Sequence, residues 1–222
     1  REWHTKEEVT SPTASLEGIY LTAAIDAKEK RDVMTTDIPN AFIQAQMPTG
    51  KGEERVIMKL TGLLVDLLVK QAPDLYGPYV VLEKGKRVLY LQVLRALYGM
   101  LVAALLWYRK FREDLESQGF VFNPYDPCVA NRWVDHKKHT VRFHVDDLMS
   151  SHVDSEVNDD FLKWLNKMYG THGEVKATRG KVHEYLGMTF EFKDNGTVEI
   201  SMAEYIKKLV EEFPVKITAT AP

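Results

Sequence analysis

From residue 141 onward, apolar and polar positions alternate: Val141, Phe143 and Val145 are interleaved with Arg142 and His144. That is the two-residue period of a half-buried strand. Asp146-Asp147 interrupts it where a tight turn belongs, and a second strand is predicted over 148–153. With residues 128–134 and a polar turn at 135–138, these predict a three-strand antiparallel meander. Upstream, 32–38 reads as a β-rich strand broken by Pro39-Asn40, which puts Asp37 at a strand's carboxyl end. Shorter strands are predicted at 55–60, 79–82 and 87–93, the last two joined by a turn around Gly85. Residues 185–192 and 197–200 flank Asn195-Gly196, a strong short hairpin signal.

Helical spacing accounts for most of the rest. From Thr10, Ser11 suits a cap and Pro12 the first helical position, with Leu16, Ile19, Ala23 and Ala27 on one face. A short helix is expected at 40–46 and another at 63–70. Leu101, Leu105, Tyr108 and Leu115 make the clearest apolar stripe, stopped by Gly119. Asp154-Ser155 can cap a helix carrying Phe161, Leu162, Leu165 and Met168, after which 171–183 reads as a basic and polar loop. Ser201 with Glu204 predicts a capping box for a last helix through Phe213. Helices mixed with antiparallel strands in this order imply an α+β fold, with helices covering one face of a mixed or antiparallel sheet.

The 222 residues suffice for one large or two small domains with a real core. A net charge of −3 gives no basic footprint for a polyanion over the whole chain. Cys128 is the single cysteine, which excludes an internal disulfide and fits a reducing compartment. No Cys/His spacing suggests zinc. The longest apolar run, 100–108, is far below the roughly 20 residues of a membrane helix, and no signal peptide opens the chain. Arg1 stands where an initiator Met would, so a piece of a longer polypeptide is expected.

Two neighbouring ionised carboxylates each disfavour the other's charge. Asp146-Asp147 is therefore either a solvated turn or a site that a divalent cation compensates, and Asp37 is either a helix N-cap or a third ligand. If the two strand ends are neighbours, three carboxylates converge. Hard ions such as Mg²⁺ take that oxygen set, and a pair of them about 3.5–4 Å apart clamps both oxygens of a phosphoryl transfer.

With these motifs in order, the sequence resembles the reverse transcriptase of copia-type retrotransposons over nearly its whole length. Asp37-Ile-Pro-Asn-Ala-Phe42 is similar to the family's first motif, and Ala96-Leu-Tyr-Gly-Met100 with Trp107-Tyr108 to its second. Gly119-Phe120 and Tyr125-Asp-Pro-Cys128 resemble its lead into the meander, and His144-Val-Asp-Asp147 its aromatic-Val-Asp-Asp motif. Tyr185-Leu-Gly187 is similar to its Phe-Leu-Gly segment, and 201–213 to the region beyond the palm.

The resemblance implies a right-hand polymerase palm over 1–222, with partial fingers and a thumb edge from about 201, making DNA on an RNA or DNA template. Asp37, Asp146 and Asp147 would be catalytic, holding two Mg²⁺ (or Mn²⁺) with the Ile38 carbonyl. Phe42, Tyr98 and Gly99 would bind the deoxynucleoside triphosphate, the Phe42 ring rejecting a ribose hydroxyl, with a core Phe at a helix start as the competing account. Tyr185, Leu186 and Gly187 would line the primer, with a core strand as the competing account. Lys176, Arg179 and Lys181 would meet phosphates, or form a solvated loop. Implied partners are the primed template and the other polyprotein domains, integrase and RNase H, with no membrane. The implied location is cytoplasmic virus-like particles or the nucleus.

The chain also departs from the family. Leu101-Val-Ala-Ala104 replaces Lys-Gln-Ala-Pro, His144 replaces a Tyr, and the basic fingers strands would lie upstream of Arg1. Rival expectations are a catalytically inactive, nucleic-acid-binding remnant and a metal-dependent phosphohydrolase with His144 as base.

Overall fold

The computed structural model describes residues 10–49 and 55–214. The chain runs α1 (Leu16–Lys28), β1 (Asp32–Asp37), α2 (Ala41–Gln44), β2 (Ile57–Thr61), α3 (Leu63–Gln71), α4 (Pro73–Tyr76), β3 (Val81–Glu83) and β4 (Lys86–Gln92). Then come α5 (Ala103–Ser117), β5 (Val121–Phe122), β6 (Val129–Val134), β7 (Lys137–His144), β8 (Asp147–His152) and α6 (Ser155–Tyr169). The last elements are β9 (Ala177–Arg179), β10 (Val182–Tyr185), β11 (Met188–Phe192), β12 (Val198–Ser201) and α7 (Ala203–Glu212).

The expected meander is present as β6-β7-β8, and β1 docks antiparallel against its last strand. The resulting six-stranded sheet has the order β5-β6-β7-β8-β1-β9. Residues directly opposite in paired strands share a face, so the register sorts the side chains. One face carries Met34, Val141, Phe143 and Leu148 into a core with Trp107, Phe111 and Leu115 of α5 and Phe161, Leu165 and Tyr169 of α6. The other buries Val33 and Met149 against Ile19, Ala23 and Ala27 of α1 and Tyr185, Met188 and Phe190 of the small sheet β10-β11-β12. A separate sheet, β2-β4-β3, packs with α3.

The second face also holds buried charge. Arg142 on β7 is fully buried and donates to Asp26 of α1 at 2.8 Å; Ser151 donates to the same carboxylate at 2.6 Å. Arg31 approaches Asp26 at 3.6 Å, and Arg142 also contacts the Met149 sulfur.

Four local readings differ from the sequence expectation. Helix α1 is capped by Ser15, not Ser11: the Ser15 hydroxyl accepts from the Gly18 N–H, while its own N–H and hydroxyl donate to Asp126. That tether fixes where the helix starts. The basic loop 171–183 contains β9, whose order comes from pairing with β1 and not from any local pattern. The strand expected over 185–192 is broken by a two-residue turn at Leu186-Gly187, both at positive φ (51° and 75°), the signature of a type I′ hairpin. The capping box does not form; Met202 occupies the N-cap of α7, and Ser201 Oγ accepts instead from the Ala203 N–H.

Candidate active site

β7 and β8 are joined by Val145-Asp146 alone, with His144 opposite Asp147 across the hairpin. Val145 sits at φ 59°, left-handed backbone that a β-branched residue adopts only under constraint. The constraint is visible: the buried Trp107 donates its indole N–H to the Val145 carbonyl at 2.6 Å. On the far side of β8, Asp37 ends β1 directly opposite Asp147, and the Ile38 N–H donates to the Asp146 carbonyl at 3.1 Å. His144, Asp147 and Asp37 therefore form one row across three strands, with Asp146 in the turn beside it. Asp37 caps no helix; the N-cap position of α2 belongs to Asn40, at φ 53° and without a side-chain cap bond.

The three carboxylates feel one another. Partial burial pushes the Asp147 pKa up, and the charges of Asp146 and Asp37 push it further; His144 acts in the opposite direction. Asp37 is likewise raised, first by burial and then by Asp146. No ion pair neutralises them among the described residues. Nor, among those residues, are three His, Cys, Asp or Glu side chains gathered closely enough to hold a metal ion, so strand register, not side-chain contact, brings the acids together. By chemical type, oxygen donors with uncompensated negative charge suit a hard divalent cation; as placed, the three side chains do not close into a ligand cage.

Beside the acids opens a cleft of about 550 Å³ lined by Asn40, Ala41, Phe42, Tyr98, His144 and Asp146. Phe42 on α2 stacks on Tyr98, with centroids 5.9 Å apart and planes at 30°. Tyr98 is otherwise 91% exposed. Gly99 follows at φ 90°, a conformation that lets the chain turn between Tyr98 and α5. His144 keeps a buried Nδ1 without a hydrogen-bond partner.

The remaining expected residues lie apart from this cleft's lining. Tyr185 is in the core, 3% exposed, with its hydroxyl unpartnered; the competing reading of it as core describes its side chain. Leu186 and Gly187 form the hairpin tip, and the Tyr205 ring of α7 packs so closely over Gly187 that a Cβ there would lie 3.2 Å from it. Arg179 is engaged by Asp32 and Asp159, and Lys181 by Asp194, each within 2.6 Å. Sequence reasoning missed the Trp107 contact. Its trace in the sequence was Trp107-Tyr108 in the second family-like motif, which does not say where the indole N–H points.

A family profile described as "Reverse transcriptase (RNA-dependent DNA polymerase)" matches residues 2–221. A transposon Ty5-1 protein of Saccharomyces cerevisiae is 26% identical over 127 residues, 56% of this chain and 40% of that protein. The retrovirus-related Pol polyprotein from transposon TNT 1-94 of Nicotiana tabacum is 22% identical over 212 residues, 95% of this chain and 14% of that protein. Among solved structures, telomerase from Candida albicans, in complex with a fragment of telomeric RNA, aligns over 89% of this chain and 37% of its own. The TM-score is 0.46 and the identity 11%. The chain thus spans less than half the length of either curated relative.

Proposed function

The chain belongs to the reverse transcriptase (RNA-dependent DNA polymerase) family found in copia-type Pol polyproteins. From that premise we propose that it is the palm of such a polymerase, with partial fingers and the edge of a thumb. It extends a primer on an RNA or DNA template: the primer 3′ oxygen attacks the α-phosphorus of a deoxynucleoside triphosphate, and pyrophosphate leaves.

The observation that carries the reading is the pairing of Asp37 with Asp147 at the end of β1, next to the Asp146 turn. Asp37, Asp146, Asp147 and the Ile38 carbonyl would hold two Mg²⁺. Ions held there would neutralise charge on the attacking and leaving oxygens. The chain's own residues do the positioning. Phe42, stacked on Tyr98, walls the cleft where a nucleotide sugar would lie, and the ring is the reason a ribose 2′ hydroxyl would be refused. Gly99 lets Tyr98 stand over that cleft. Gly187 and Leu186 are the parts of the β10-β11 tip able to meet a primer strand, since the Tyr185 ring is buried.

The test is primer extension on poly-rA/oligo-dT with Mg²⁺ or Mn²⁺, comparing this chain with its Asp146→Asn, Asp147→Asn double variant. Extension by the first and none by the second is expected. A second reading, an inactive copy that only binds nucleic acid, is favoured by the start of α5, where Leu101 is exposed and the Val102 cap position makes no side-chain hydrogen bond. Primer-template binding without extension would select it.

A further inference from the structure

Trp107 is the largest fully buried side chain among the described residues. Its ring is held on the helical face of the sheet by Phe111, stacked at 5.3 Å and 16°, and edge-on by Tyr169 at 5.3 Å and 72°. Neither neighbour belongs to the β7-β8 turn. Its indole N–H, however, leaves that aromatic cluster and donates to the Val145 carbonyl at 2.6 Å.

The carbonyl it reaches is a sensitive one. The Val145 carbonyl and the Asp146 N–H belong to a single planar peptide unit, so fixing one fixes the entry to Asp146. Val145 itself sits at φ 59°, a strained state that persists only where the surroundings over-determine it. The hairpin ladder fixes His144 and Asp147, and the Ile38 N–H holds the Asp146 carbonyl from the β1 side. What remains free to flip is the Val145–Asp146 peptide, and it is the unit the indole N–H holds.

We infer that Trp107 is a positioning residue: its N–H pins the Val145–Asp146 peptide and so keeps the strained turn in the conformation that presents Asp146 and Asp147 beside Asp37. The inference rests on the reading of those acids as cation ligands. It separates Trp107 from an ordinary core residue, because a core role needs the ring and is indifferent to the N–H.

Removing only the donor tests it. Benzothienylalanine at position 107 keeps the bicyclic shape with sulfur in place of N–H; Trp107→Phe is the simpler version, and Leu115→Val, buried in the same core about two turns further along the same helix, is the core control. Each is titrated with Mn²⁺ alone, followed by the resonance signal of the free ion, and also melted and assayed for primer extension. Both position-107 variants are expected to lose roughly tenfold in Mn²⁺ affinity, as for an orphaned buried carbonyl, with a fall in kcat larger than any rise in KM. Leu115→Val is expected to lose melting temperature while binding Mn²⁺ within about twofold of the parent, as for a small core trim remote from the ligands. Unchanged Mn²⁺ affinity in the benzothienyl variant, or a loss no greater than that of the core control, overturns the inference; this variant decides the matter if Trp107→Phe does not fold. If the parent chain itself binds no Mn²⁺, the proposed function fails first, and the positioning role with it.

Discussion

Two adjacent rungs on one face of the main sheet treat charge in opposite ways. The rung of Arg142, Met149 and Thr35 is closed: a guanidinium with no exposed surface meets the Asp26 carboxylate at 2.8 Å, and Ser151 and Arg31 complete the acid's surroundings. The next rung, His144, Asp147 and Asp37, is open: two acids face each other, a third stands in the turn, and both Asp37 and Asp147 are pushed toward their protonated forms. The same strands supply both rungs. The difference is in what meets each rung. Asp26 of α1 answers the guanidinium of the closed rung, whereas no cationic side chain pairs with the acids of the open one among the described residues. Neutralised acids serve stability, whereas acids left uncompensated at a cleft are the ones to suspect of chemistry.

Breaking the closed rung has the largest expected effect. Asp26→Ala leaves Arg142 buried without its carboxylate, and stripping one partner from a buried ion pair costs about 3–5 kcal/mol; urea unfolding is expected to show a loss of that size, or a chain that does not fold. Breaking the open rung is expected to do the reverse. Asp147→Asn should cut primer extension at least about a hundredfold, as for loss of a metal ligand, while stability to urea is held or gained because a repulsive charge is gone.

The pH dependence sharpens the contrast. A carboxyl whose pKa is raised on folding binds its proton more tightly in the native state, so native stability falls as pH rises from the ordinary value of 3.8 toward the raised one. Without divalent ions, Asp147→Asn should therefore be more stable than the parent at pH 7, by about 1 kcal/mol or less after solvent screening. The gap should close below about pH 4, and Mg²⁺ should close it at pH 7; melting curves across pH with and without the ion check both. The smallest effect is expected far from either rung. Leu64 on α3 is 57% exposed, and Leu64→Ser should change urea stability by no more than about 0.5 kcal/mol.

The open rung was more legible in the sequence than the closed one. Asp37 before a Pro-Asn break and Asp146-Asp147 in an alternating stretch are local signals, and each strand end could be read by itself. What no local pattern carried was partnership. Arg142 read as a polar tooth of an alternating strand; that it is buried on Asp26 depends on α1 packing across that face. β9 is three residues long and owes its existence to β1. Leu186 gave no turn signal because leucine is a poor choice for positive φ, and the hairpin forms there because Tyr185 and Met188 are both drawn into the core. The Trp107 contact was invisible for the same reason: its ring satisfied a packing rule, and its N–H acts on a turn elsewhere in the chain.

The place of β1 in the sheet has a consequence for how such a chain comes off the ribosome. It is made early, yet both of its neighbours, β8 and β9, are made late. Until they arrive, Val33 and Met34 have no sheet to join, so the strand must wait as an apolar segment exposed to chaperones or to stray partners. The meander β6-β7-β8 closes by local contacts and can assemble first. Docking of β1 is then the step at which Asp37 meets Asp147, so a nascent chain cannot acquire the complete acid set until β8 has been translated.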